Sequence, residues 1–170
     1  MRYRIWALLL FAPVAAAFAD GKDKKPETDK KKKADVELAV IVNEKNPVKK
    51  ISYSELRSYL KMRRQFWPNR KRCDLYLPKR DSVTYKILLK KVYKTSDKKL
   101  QKYWVRLLFA GDIPAKPSVV TSPKAAGTQV KKNEGGLSIV PAKQVPKGVR
   151  VLPIDGKKPG DKGYALVGKP

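Results

Sequence analysis

The stretch "LYLPKRDSVTYKILLKKVY" (75–93) sets two periodicities side by side. Residues 73–78, "CDLYLP", put Cys73, Leu75 and Leu77 at every second position, the spacing of a strand with one apolar face. Residues 82–93 repeat Val83, Ile87 and the Leu88/Val92 pair at helical spacing. A strand that passes through a short turn into a helix is the building unit of an α/β domain. The turn itself carries Arg80, Asp81, Ser82 and, just inside the helix, Thr84. It reads two ways. The free N–H groups and positive dipole end of a helix start favour an anion, to which the Ser82 and Thr84 hydroxyls and the Arg80 charge would add. Alternatively Asp81 or Ser82 is the N-cap, and its own oxygen fills that place.

The same patterns continue on both sides. "VELAVIVN" (36–43) is a nearly continuous apolar run rich in β-branched residues, as expected of a buried strand. "ISYSELRSYLK" (51–61) predicts a helix opened by a Ser52/Glu55 capping box. Pro68 and Asn69 make a loop of 61–72. Ser96 caps a third helix over 96–111, with Leu100, Trp104 and Leu107 on one face and Gly111 as its stop. Ser122-Pro123 opens a weaker helix over 121–136. "LSIVP" (137–141) and "VRVLPI" (149–154) read as further strands. Helices crossing between strands favour a mostly parallel sheet.

Composition narrows the chemistry. The 170 residues hold 40 basic and 15 acidic side chains, a net charge of +25, no histidine and one cysteine. Without histidine there is no Ser/His or Cys/His nucleophile and no near-neutral imidazole base. The acids are scattered, with no carboxylate pair, no glycine-rich phosphate loop and no metal-ligand spacing. An enzyme, a metal and a cofactor are therefore not expected. Cys73 has no internal partner and reads as a small core residue.

The first nineteen residues combine "MRYR", an apolar run over 5–19 and a small-x-small ending at Ala17-Phe18-Ala19. This is the pattern of a cleavable secretory signal peptide. An uncleaved anchor is the other reading, although the run contains Pro13 and is short for a span of ~20 residues. Removing residues 1–19 takes away Arg2, Arg4 and no acid, leaving +23. Residues 20–35, "DGKDKKPETDKKKKAD", are nearly half lysine and are expected to be a disordered leader. Residues 156–170, rich in Gly, Pro and Lys, are expected to be a flexible basic tail, so the domain is placed at 36–155.

The loop "KMRRQFWPNRKR" interleaves Phe66 and Trp67 with six cations, a mixture that single-stranded nucleic acid binders use. The plainer reading is that its aromatics plug the core while its charges face water. In a secreted protein no physiological nucleic acid partner is expected. The high charge instead points towards anionic envelope polymers as a partner, in a structural or interaction role without a small ligand.

The order of these pieces resembles the phosphate ABC-transporter substrate-binding protein family, in its short single-lobe branch. The resemblance rests on Asn43, Asn46-Pro47, Ile51-Ser52 to Leu56, Phe66-Trp67-Pro68, Arg80-Asp81-Ser82-x-Thr84, Tyr103-Trp104, Phe109-Ala110-Gly111 and Gly136 to Pro141. It implies one lobe of a periplasmic-binding-protein-like α/β fold, with a small, mostly parallel sheet flanked by helices. It also implies a periplasmic or secreted protein that binds phosphate or a similar oxyanion and docks with a membrane transporter or sensor. Carried over by position, Ser82 and Thr84 would be the oxyanion contacts, with Arg80 nearby.

Overall fold

The computed structural model describes residues 35–169. The expected signal peptide (1–19) and nearly all of the expected leader (20–35) lie outside the described residues. Within them the order is β1 (Val36–Val42), α1 (Tyr53–Leu60), β2 (Asp74–Pro78), α2 (Val83–Leu88), α3 (Asp97–Phe109), β3 (Ser118–Val120), α4 (Pro123–Lys132), β4 (Gly136–Pro141), β5 (Arg150–Val151) and β6 (Val167–Gly168). A π-turn over Leu89–Tyr93 extends α2 and ends at Lys94, in the left-handed region at φ 51°.

The sheet has six strands in the order β3-β2-β4-β1-β5, with β6 also on β1. β2 pairs in parallel with β3 and β4, while β1 pairs antiparallel with β4, β5 and β6. Five strands thus run one way and β1 alone runs against them. Both faces of β1 are covered, which is why its sequence is continuously apolar. Leu38, Val40 and Val42 face the larger core with α1, α2 and α3. Ala39 and Ile41 face the smaller core beneath α4, with Val120, Ala126 and Val130. Full burial of each leucine, isoleucine or valine among them stabilises the fold by ~1.5–3 kcal/mol.

Local sequence chemistry sets the helix ends. Ser52 and Glu55 form the capping box, and the Ser82, Ser96 and Ser122 hydroxyls each accept an N–H from the first turn of α2, α3 and α4. Gly111 follows α3 at φ 75°. α4 ends on a long-range contact, because buried Asn43 donates its side-chain amide to the Val130 and Lys131 carbonyls. α4 also lies close to the chain after β4: a Cβ on Gly127 would come within 2.5 Å of Pro146.

Two strands go beyond the sequence expectation. β3 is three residues long and follows Pro114 and Pro117, too short to show a period of two. β6 lies in the segment expected to be a flexible tail, and this expectation is corrected. Tyr164 and Leu166 enter the larger core. The Tyr164 hydroxyl donates to the Leu38 carbonyl at 2.8 Å, and the Leu38 N–H donates to the Leu166 carbonyl at 2.9 Å. A few apolar residues among glycines and lysines carry little sequence signal, yet they complete the edge of β1. The described domain therefore continues past residue 155.

Candidate functional site

β2, β3 and β4 run in parallel, so their carboxyl ends lie on one side of the sheet, where open α/β folds hold ligands. A cleft of about 220 Å³ opens there. β2 delivers Pro78, Lys79 and the turn into α2. β3 delivers Val120, Thr121 and Ser122 at the start of α4. β4 delivers Pro141 and the following turn with Gln144. Val120, Ala126, Ile139 and Val140 make the floor apolar, and the rim carries the hydroxyls of Ser82, Thr84, Thr121 and Ser122. Two helix starts therefore face one cleft, each with first-turn N–H groups that lack an intrahelical partner.

The three expected site residues separate. Ser82 lies on the cleft and is the N-cap of α2. Its Oγ donates to the Lys79 carbonyl at 2.6 Å and accepts the Tyr85 N–H at 3.2 Å, so the hydroxyl holds the turn together. Thr84 also lies on the cleft, at 4% exposure, and its hydroxyl has no hydrogen-bond partner among the described residues. Arg80 does not reach the cleft. Its guanidinium grips the Asp97 carboxylate at the start of α3 through Nε and Nη2. Asp97 also accepts from the Tyr85 hydroxyl at 2.6 Å and from Gln101. The bond from Arg80 is the largest influence holding the Asp97 carboxyl below its ordinary value. Burial, then the bond to Asp97, pushes the Tyr85 phenol up to about 12. Arg80 is thus a staple between α2 and α3. Sequence could not separate these roles, because Asp97 lies seventeen residues away.

Asp81 does not fill the helix start. Its side chain is 77% exposed and pairs with Lys79 at 3.3 Å. Ser82 is the cap, and its one acceptor oxygen leaves the amides of Val83 and Thr84 outside the capping bond. Residues that sequence reasoning does not assign to the site are Thr121, Ser122 and Gln144. The "TSP" at 121–123 is the one available signal, and by itself it marks only a helix start.

The aromatic loop divides in the same manner. Trp67 is buried, stacks on Tyr59 with centroids 4.4 Å apart and donates Nε1–H to the Gly135 carbonyl at 2.9 Å. Phe66 points outward at 56% exposure. Cys73 is buried and free, and burial raises its thiol well above the ordinary value. Among the described residues no helix is long and apolar enough to cross a membrane.

No protein-family model matches the chain, and no curated protein matches it in sequence. Solved structures do resemble it in fold. An ABC-type phosphate transport receptor from Vibrio cholerae is similar at TM-score 0.64 and 18% identity, over 79% of this chain and 54% of the receptor. PstS from Borrelia burgdorferi is similar at TM-score 0.64 and 12% identity, over 80% of this chain and 56% of that one. A Clostridium perfringens protein solved with bound phosphate gives TM-score 0.59 and 14% identity, over 74% and 47%. The chain thus spans about half the length of the structures it matches. With its mostly one-way sheet, flanking helices and cleft at the strand ends, it carries the periplasmic-binding-protein-like α/β fold of these phosphate receptors.

Proposed function

We propose that the chain is a secreted, non-enzymatic binding component that takes phosphate or a similar tetrahedral oxyanion at the cleft and hands it to, or reports it to, a membrane transporter partner. One observation carries the reading: two helix starts and three parallel strand ends converge on a single hydroxyl-rimmed cleft, in a fold shared with phosphate receptors. The Thr84 hydroxyl and the first-turn amides of α2 are the donors, Ser82 holds the turn, and Lys79 supplies charge at the rim. Arg80 has no part in it. The apolar floor gives an anion no partner, so the ion is held at the rim by charge-assisted hydrogen bonds. The cleft is open to solvent, so an anion at its rim stays hydrated on its outer side and binding is weak. A partner covering that side would tighten it.

Isothermal titration of phosphate into the folded protein tests this reading. Heat saturating at millimolar phosphate is expected, weakened by Thr84→Val and by Ser82→Ala with Thr84→Ala, and unchanged by Arg80→Ala. A folded sample that gives no heat with phosphate, arsenate or sulfate at that concentration removes the oxyanion from the reading.

A further inference from the structure

A second concave surface shares no residue with the cleft. It is a groove of about 270 Å³ between one face of α3 and the chain that leaves α1. Lys99 and Arg106 line it from α3, and Lys61 and Arg63 face them. No acidic side chain lines this groove. None of the four cations forms an ion pair with a described residue, whereas Lys45, Arg64, Lys71, Lys79 and Arg80 all do. Like charges brought together without a counter-charge cost free energy that a bound anion would relieve. The Lys61 ammonium is held below the ordinary value, first by burial and then by repulsion from Arg57 and Arg63.

The spacing of the charges distinguishes among anions. Lys99 and Arg106 are seven residues apart on one helix, about 10 Å along its axis. That is wider than one tetrahedral oxyanion and suits a linear chain of charges. The aromatic walls distinguish further. The Tyr93 and Tyr103 hydroxyls donate to the Leu60 and Lys61 carbonyls at 3.0 and 2.9 Å, so they fix the wall in place. Tyr93 is buried, and the Arg106 guanidinium sits over the Tyr103 ring, 5.7 Å from its centroid. The groove therefore offers a nucleobase little to stack on, and stacking is the interaction that single-stranded nucleic acid sites rely on.

We propose that this groove binds a linear chain of phosphoryl groups without bases, of the polyphosphate type, through Lys61, Arg63, Lys99 and Arg106. The groove is thus a second anion site, selective for extended charge where the cleft takes a single compact ion.

The test is a titration of the full chain with sodium tripolyphosphate, compared with orthophosphate. Tripolyphosphate is expected to bind more tightly. Removing one charge-assisted hydrogen bond from a bound anion weakens Kd about tenfold. Lys99→Gln with Arg106→Gln, both exposed positions, and Arg63→Gln separately should therefore weaken tripolyphosphate binding by about that factor or more. Lys98→Gln with Lys102→Gln removes the same charge from the same helix outside the groove and should leave it within about twofold. Thr84→Val should leave it unchanged. The proposal is overturned if the two α3 pairs weaken binding equally, since attraction is then diffuse. It is also overturned if Thr84→Val abolishes binding, if orthophosphate binds as tightly, or if an oligothymidylate of equal charge binds more tightly through the same residues.

Discussion

The cleft and the groove draw on one very basic chain and treat its charge in opposite ways. At the cleft Arg80 is drawn off to Asp97, the rim cation Lys79 is shared with Asp81, and the rest of the lining is mainly hydroxyl and aliphatic. In the groove four cations stand together with no acid among the lining residues. The cleft is cut into the core, with Ile139 as both floor and core residue. The groove lies on the surface, and Lys99, Arg63 and Arg106 are exposed. Net charge therefore says little about a site until the ion pairs are known.

The sharpest contrast is in stability. Ile139→Ala removes a side chain that is 1% exposed and should cost about 2–5 kcal/mol in urea unfolding. Arg106→Gln should stay within about 0.5 kcal/mol. Equal costs would mean that the groove is part of the packing. Next come the two helix starts that face the cleft. Ser82→Ala and Ser122→Ala should each cost ~1 kcal/mol through loss of the cap. A much larger loss at Ser82 would show that its bond to the Lys79 carbonyl holds the turn more firmly than a cap alone does.

A smaller effect concerns the staple that removes Arg80 from the cleft. Asp97→Asn should bring the Tyr85 phenol down from about 12, read by ultraviolet titration. The fall should be partial, because burial is the larger cause. The smallest is a pH dependence. The Asp97 and Glu55 carboxyls sit below their ordinary values, Asp97 chiefly through Arg80 and Glu55 chiefly through the Ser52 N–H. A depressed carboxyl contributes stability that is fully present above its unfolded value of about 4 and is lost as pH falls through its folded value. Thermal melts should therefore decline below about pH 4, and less steeply in Arg80→Ala. An unchanged slope in that variant would mean that the pair contributes nothing measurable.

Much of the frame is legible in the sequence. β1, β2 and β4 follow from apolar runs and alternation. The caps at Ser52, Ser96 and Ser122 are visible as local patterns, because a cap involves residues three apart, whereas at the start of α2 Asp81 and Ser82 are both open to the sequence. What cannot be read depends on partners far away in the chain. Arg80 meets Asp97 across a helix, Asn43 ends α4 from the end of β1, and Leu166 returns to Leu38. The α4 side of the cleft is likewise out of reach, since Thr121 and Gln144 join Ser82 only when three strands align.

By itself the sequence determined the class of fold, the starts of α1, α3 and α4 and the absence of histidine chemistry, because periodicity, capping and composition act over a few residues. Tertiary structure decided that Ser82 rather than Asp81 caps the turn, that Thr84 faces the cleft while Arg80 leaves it, and that residues past 155 close the sheet. Those outcomes depend on which charges and carbonyls lie within a few ångströms in space, and only the completed packing brings them there.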